Sequence, residues 1–227
     1  MKWLITTSKQ SDKTGNYTAW LLNAGVSARL AVELGDVGPD FADCDALLLA
    51  GGPDVAPAAY GASFVHPKTY VDHKRDEMES FLINQFLSLQ KPVFGICRGL
   101  QVIAVHYGCS LVQHIPEIIA AEEEQHSAIE DLDACHLFLP RVDTVLGSVL
   151  SGMRNINSCH HQAIGRMPFS SPLRIAGRSQ YGLVEAVEDL HGTVKVSAVQ
   201  WHPERMSYES AASSGLLEYW KSLVLNR

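Results

Sequence analysis

No Cys-x-x-Cys pair occurs among the five cysteines, at positions 44, 97, 109, 135 and 159, and their number is odd. That argues against both a disulfide framework and a zinc-ribbon spacing, and the expected setting is a reducing compartment, the cytoplasm. No apolar run approaches the ~18 residues needed to span a bilayer. The first residues, Met1 to Ser8, carry one lysine and a short apolar stretch without a signal-peptide core, so no membrane association is expected. Clustered basic residues are missing as well: the 18 Lys and Arg are scattered, and the net charge is -7. A nucleic-acid partner is therefore not expected, and the substrate should be a small molecule. Nor is there a Pro/Gly/Ser-rich linker, a charge run, an internal repeat or a low-complexity tract, so residues 1–227 read as one domain. With 46% hydrophobic and 19% charged residues the chain can bury a sizeable core, which excludes disorder.

What is present alternates strands with helices in the first half. Trp3 to Thr7 predicts a short buried strand, Asn16 to Ala24 a helix closed by Gly25, Val26 to Glu33 a second strand, and Ala46 to Ala50 a third running into Gly51-Gly52-Pro53. Asp54 to Tyr70 has no period and reads as a long loop, which in a compact domain is usually functional. Asp72 to Gln90 places Met78, Phe81, Leu82, Phe86 and Leu89 at helical spacing. Pro92 to Ile96 follows as a strand and Arg98 to Tyr107 as a helix ending at Gly108. Strands separated by such helices imply a parallel sheet with right-handed crossovers. Beyond residue 130 the apolar runs shorten: Ala134 to Leu139, Met153 to Ile156, Leu173 to Arg178, Leu183 to Val187 and Val194 to Trp201 read as strands of an antiparallel extension. A last helix, Ser207 to Leu223, should pack on the outside of the sheet.

Four segments carry chemistry. In Phe94-Gly95-Ile96-Cys97-Arg98-Gly99 a buried strand delivers a cysteine into a sharp turn flanked by glycines, and a helix begins at once. Small flanks permit a strained turn, a helix N-terminus favours a thiolate, and the N–H of Arg98 would face an incoming carbonyl oxygen. A lone Gly-x-Cys-x-Gly is also what a buried cysteine at a tight turn looks like. In Gln200-Trp201-His202-Pro203-Glu204 the histidine ends an apolar strand, where functional side chains of an open α/β sheet gather. If this segment is extended, Glu204 shares a side with His202, can bond one ring nitrogen and leaves the other for the sulfur. A surface turn with an incidental ion pair is the competing reading. Gly51-Gly52, after the third strand, would let backbone approach a ligand and offer an N–H to an oxyanion, or would simply form a turn. Asn157-Ser158-Cys159-His160-His161-Gln162 could line a pocket for the amino and carboxylate groups of an amino acid, bind a metal or cap a turn. Two adjacent histidines without a third ligand at known spacing make a poor metal pair, so no metal is expected.

Taken together these residues resemble the class I glutamine amidotransferase superfamily, in particular its γ-glutamyl-γ-aminobutyrate hydrolase branch of cysteine peptidases. Five blocks match in order: Gly51-Gly52-Pro53-Asp54-Val55 with Pro57 and Tyr60-Gly61; Arg75-Asp76 with Glu79; Lys91 through Gln101; Asn157-Ser158 with His160-His161-Gln162; and Glu185-Ala186 leading to Gln200 through Glu204. The resemblance implies a flavodoxin-like three-layer α/β sandwich, with a mostly parallel sheet, helices on both faces and an antiparallel C-terminal extension. It implies Cys97 as nucleophile, His202 as base and Glu204 as its orienting carboxylate. Gly52 and Arg98 would supply the oxyanion N–H groups, and Gln101, His160 and His161 would position the substrate. The expected reaction is hydrolysis of the γ-amide of glutamine or a γ-glutamyl amine through a thioester, without a cofactor.

The resemblance also has gaps. Where the family has Gly-Gly-x-Leu-x-Gln-Asp, this chain has Gly108-Cys109-Ser110-Leu111-Val112-Gln113-His114, so a glycine and a carboxylate are replaced. The N-terminal region and the stretch from Glu122 to Asp133 are short for the branch. Arg75 and Asp76 receive no catalytic role; the aspartate, like Asp72, would complement a helix N-terminus. Three functional classes stay open: a stand-alone γ-glutamyl hydrolase, a glutaminase subunit feeding ammonia to a synthetase partner, and a binding protein that kept only the scaffold. A homodimer is compatible with the first.

Overall fold

The computed structural model describes residues 1–8, 13–120, 125–127, 132–189 and 195–226. Its centre is a nine-stranded sheet. In chain order the first half contributes β1 (Lys2–Thr6), α1 (Thr14–Asn23), β2 (Ser27–Ala31), β3 (Ala46–Leu49), α2 (His73–Ser88), β4 (Val93–Ile96) and α3 (Arg98–His106). The second half contributes β5 (Leu111–Val112), β6 (Ala134–Pro140), α4 (Val145–Val149), β7 (Asn155–Ser158), β8 (Ala163–Ile164), β9 (Arg174–Ser179), β10 (Val184–Asp189), β11 (Val196–Val199) and α5 (Leu216–Leu225). The sheet order is β2-β1-β3-β4-β11-β10-β9-β6-β7, and β5 pairs with β8 separately. Pairings from β2 to β11 are parallel, and those from β11 to β7 are antiparallel. The parallel part has the flavodoxin-type order, so the expected sandwich and its antiparallel extension are both present.

Period-two alternation explains why the parallel strands are apolar throughout. Trp3, Ile5, Ala46 and Leu48 point into one core layer, with Tyr17, Trp20 and Leu21 of α1 and Leu216, Leu217 and Trp220 of α5. Leu4, Leu47 and Leu49 point into the other, with Met78, Leu82, Ile83 and Phe86 of α2 and Leu100 and Ile103 of α3. Each such side chain taken out of water contributes about 1.5–3 kcal/mol. Phe94 stacks on Trp220 with ring centroids 4.8 Å apart, and the Trp220 indole N–H donates to Ser197 Oγ at 2.8 Å, so the ring is buried without stranding its donor.

Several boundaries differ from expectation for local reasons. The second strand stops at Ala31 because Glu33 caps a 3-10 turn at Leu34–Asp36, with reciprocal side-chain to backbone bonds. The long loop after β3 contains a 3-10 turn at Pro57–Tyr60. The seventh strand lies two residues later than Met153–Ile156, so Asn157 and Ser158 sit within it, pairing with Cys135 and Ala134. The last helix begins as a wide π turn at Ala211–Gly215, and the Trp201 indole N–H donates to Ala212 O at 3.2 Å there. The short strands β5 and β8 and the helix α4 have too few residues to leave a periodic signal. Thr144 caps α4, and the Glu188 carboxylate accepts the N–H groups of Val145 and Leu146 at 3.0 and 2.7 Å. Val194, at the start of the expected last strand, and most of Glu122 to Asp133 lie outside the described residues.

Candidate active site

Three adjacent parallel strands deliver their C-terminal ends to one edge of the sheet. Leu49 of β3 pairs with Gly95 of β4, and Ile96 of β4 pairs with Val199 of β11. The Gly51-Gly52 turn, Cys97 and the Gln200–Glu204 segment must therefore emerge side by side, which is where ligands of open α/β sheets bind. Although His202 is far from Cys97 in sequence, the register brings them together.

Cys97 occupies the turn with φ 54° and ψ -107°, a left-handed backbone on a non-glycine residue, and caps the nine-residue α3. Such strain persists only where the surroundings over-determine it. Here the Cys97 N–H donates to Val199 O at 2.8 Å, and Gly99 packs so closely that a Cβ there would lie 2.1 Å from Leu49 O. Arg98 is the first helical residue, so its N–H belongs to the donors that an α-helix leaves without an internal acceptor.

The His202 ring is 2% exposed and Cys97 6%. Nδ1 lies 2.8 Å from Glu204 Oε1, and the ring and Cys97 both border Gly51, where a Cβ would lie 2.9 Å from His202 Cε1 and 3.6 Å from Cys97 Cβ. Burial alone would lower the pKa of His202, but its electrostatic interactions with Cys97 and Glu204 outweigh that and raise it to about 10. The contact with Glu204 does not arise from an extended chain as expected: Pro203–Arg205 is a 3-10 turn with His202 at its start, and the turn folds the carboxylate back to Nδ1. Asn157 clamps the His202 main chain from both sides, its Nδ2 donating to His202 O and its Oδ1 accepting the His202 N–H, each at 3.0 Å.

A second charged group lies under the Gly51-Gly52 turn. Arg75 donates through Nη1 to Gly51 O at 2.9 Å and to Ser8 Oγ at 3.0 Å, through Nη2 to Ala50 O at 2.7 Å, and through Nε to Glu79 Oε1 at 2.8 Å. Glu79 also accepts from Thr6 Oγ1 at 2.5 Å and pairs with Arg98, which pairs in turn with Asp76. Burial would raise the Glu79 carboxyl, but Arg75 and Arg98 hold it below the usual range. A Cβ on Gly52, whose φ is 154°, would meet Arg75 Nη1 at 2.1 Å. The block Arg75-Asp76…Glu79, which received no catalytic role from the sequence, thus fixes the backbone of both turns beside the sulfur. Tyr17 was missed altogether. Its hydroxyl accepts the Gly51 N–H at 3.0 Å and lies 3.5 Å from His202 Nδ1.

The three residues expected to position substrate are dispersed. Gln101 is buried and donates to Gln162 O at 3.2 Å. His161 is partly exposed, with Nε2 3.1 Å from Asp54 and Nδ1 3.3 Å from His114 Nδ1. His160 turns inward, its Nδ1 2.9 Å from Gln162 O. Of the replaced residues, His114 stacks on His66 with centroids 4.7 Å apart, while the retained Gln113 grips the long loop at Phe64, His66 and Thr69. A cavity of about 610 Å³ has Gly52, Ser8, Tyr70, Asp72 and His73 in its wall, but not Cys97 or His202. No described helix is long and apolar enough to cross a membrane.

Comparison with known proteins agrees with this fold. Solved structures of similar fold include a putative GMP synthase component from Thermoplasma acidophilum (TM-score 0.67, 16% identity, all of this chain and 94% of that one). A glutamine amidotransferase from Thermotoga maritima is another (TM-score 0.61, 13% identity, all of this chain and 84% of that one). At such identities the likeness concerns the fold alone. Protein NtpR of Enterococcus hirae is 35% identical over 78% of this chain and 73% of its own. The γ-glutamyl-γ-aminobutyrate hydrolase PuuD of Escherichia coli is 35% identical over 77% of this chain and 69% of its own. A putative glutamine amidotransferase of Mycobacterium tuberculosis is 38% identical over 70% of this chain but only 50% of its own. The peptidase C26 family model matches residues 30–204, a span that holds every block described above. The chain therefore belongs to the peptidase C26 family within the class I glutamine amidotransferase superfamily, and is a cysteine-type amidohydrolase.

Proposed function

We propose that the chain is a stand-alone hydrolase of γ-glutamyl amides in which Cys97 is the nucleophile, His202 the acid-base and Glu204 the residue that orients it. One observation carries this reading: a buried imidazole, held by a carboxylate at 2.8 Å, borders the same glycine, Gly51, as a cysteine at a strained strand-to-helix turn. That is the order a thiolate-imidazolium pair needs, with Glu204 fixing Nδ1–H so that Nε2 serves the sulfur.

The Cys97 sulfur attacks the δ-carbonyl carbon of the γ-glutamyl group, and the carbonyl electron pair moves to oxygen. The N–H groups of Gly52 and Arg98 receive that oxyanion, each contributing about 3 kcal/mol to the barrier. As the C–N bond breaks, His202 gives its proton to the leaving amine, and a γ-glutamyl thioester remains. Water, deprotonated by His202, then attacks the thioester and releases glutamate and the thiolate. The acid-base part contributes a factor of roughly 100 to 10,000. Gln101 and His161 serve on the substrate side, and Asp54, which holds His161, fits recognition of the α-amino group. His160 contributes through the protein interior rather than by contact with substrate. We take residues 1–227 as one domain, supported by the single sheet that runs from β2 to β7.

A panel of γ-glutamyl amines and free glutamine, assayed for glutamate release by the purified chain, tests the proposal. Turnover of γ-glutamyl amines without a partner supports it. Turnover of glutamine alone, stimulated by a synthetase, would favour a glutaminase subunit instead.

A further inference from the structure

Beside the candidate active site, but not part of it, three histidines and a glutamate converge in the interior. His126 precedes β6, His136 lies on β6, His160 follows β7 and Glu185 lies on β10. All four are buried, at 4, 7, 7 and 0% exposure, and one ligand atom from each lies within 4.8 Å of the others. From Glu185 Oε1 the distances are 3.6 Å to His136 Nε2 and 3.9 Å to both His160 Nε2 and His126 Nδ1. These are too long for hydrogen bonds, which fall at about 2.7–3.2 Å. They are close to the edge of a tetrahedron with metal-ligand bonds of about 2.0–2.1 Å, which is about 3.3–3.4 Å.

The ring orientations point the same way. Nδ1 of His160 lies 2.9 Å from Gln162 O and Nδ1 of His136 lies 3.1 Å from Leu137 O. A carbonyl accepts only a protonated nitrogen, so in both rings the proton belongs on Nδ1 and the lone pair on Nε2 faces the cluster. Metal-bound histidines are commonly fixed in this way by a backbone carbonyl. His160 Nε2 has no hydrogen-bond partner in its buried position.

We propose that His126, His136 through Nε2, His160 through Nε2 and Glu185 form a structural site for one Zn2+. Three imidazoles and one carboxylate suit zinc among the divalent cations, and four protein ligands close the coordination shell, leaving no position for a reacting water. The ion clips the segment at His126 and the strands β6 and β10 to the turn after β7. That turn carries Gln162, which binds Gln101, and β7 carries Asn157, which clamps His202. The sequence did not reveal the site because its ligands are spread from residue 126 to residue 185, and fold register rather than spacing brings them together.

Chain freed of metal with a strong chelator is titrated with ZnSO4 against a chromophoric competitor, together with the His136→Ala and Glu185→Gln variants. The wild type should bind one Zn2+ per chain, and each variant should bind at least about 100-fold more weakly. Zinc at a hundredfold excess over its Kd should raise the Tm of the wild type by about 5–10 °C. Because a variant could fail to fold, the wild type is also loaded with Co2+, and the intense visible absorption of a tetrahedral ion is expected. Any of three results overturns the site: no saturable zinc in the wild type, a weak octahedral Co2+ spectrum, or full stoichiometry kept in folded variants. The last would be seen if zinc sat instead on the surface histidines 66, 114 and 161. None of these readouts depends on amide turnover.

Discussion

Arg75 Nη1 donates to the carbonyl oxygen of Gly51 at 2.9 Å, and this bond sets the direction of the peptide plane that carries the Gly52 N–H. A lysine could not reproduce the three-sided grip on Ala50, Gly51 and Glu79, because an ammonium lacks the planar fork. Arg75→Lys should therefore lower kcat/KM for γ-glutamyl amide hydrolysis by about 10- to 100-fold, since misplacement of a catalytic group by 1 Å costs on that order. Arg75→Ala, which leaves the buried Glu79 with one cation fewer, should cost about 3–5 kcal/mol of stability in urea unfolding. Unchanged kinetics in folded Arg75→Lys would remove the guanidinium from the account.

Glu204 is one of the two charges that raise His202. The sign follows from the raised pKa: the imidazolium persists as pH rises and is lost only as pH passes about 10. Activity that depends on the thiolate-imidazolium pair should show its alkaline limb there. In Glu204→Gln one of the raising charges is gone, so that limb should move to lower pH by about 1–3 pH units, and kcat should fall. A pH profile of kcat/KM for both proteins checks this. A limb that stays in place would mean that Glu204 does not govern the ring.

Close packing at the elbow makes Gly99→Ala costly. The added methyl would fall 2.1 Å from Leu49 O and 2.8 Å from Leu49 Cβ, both on the neighbouring strand, which cannot retreat without breaking the sheet. The loss should be about 1–3 kcal/mol or more, read as a lower denaturation midpoint at constant slope. Activity should fall with it, because Cys97 turns on the same backbone.

Tyr17→Phe isolates one hydrogen bond. Removing the hydroxyl strands the Gly51 N–H, which should cost about 1–3 kcal/mol. Burial, Glu204 and Cys97 keep the phenol protonated at all working pH values, so the variant should shift stability and kcat without adding a new ionisation to the pH profile. Appearance of a new limb would contradict this.

Much of the fold was legible because both faces of the parallel strands are buried, and that leaves continuous apolar runs such as Ala46 to Leu49 between helices with clear periods. The places of Cys97, His202 and Glu204 at strand ends were legible for a different reason: a glycine-flanked elbow and a strand-end His-Pro-Glu are local patterns. What escaped was non-local or too short. Tyr17 reaches the site only because α1 packs beside the strand ends, and no motif surrounds it. The turn at Pro203–Arg205 uses a proline that also fits extended structure, so the backbone route from His202 to Glu204 was misjudged while the contact was not. Asn157 was placed after a strand rather than in it, because a polar residue facing the site breaks the apolar alternation by which strands are recognised.

The direct measurement of the central claim is covalent capture. The chain is incubated at neutral pH with a γ-glutamyl diazoketone, digested and mapped by mass spectrometry. One adduct per chain, on Cys97, that is absent from Cys97→Ser and greatly slowed in His202→Ala is the result predicted. Labelling of the exposed Cys135 in its place, or hydrolysis of γ-glutamyl amides by Cys97→Ala at the wild-type rate, would contradict it.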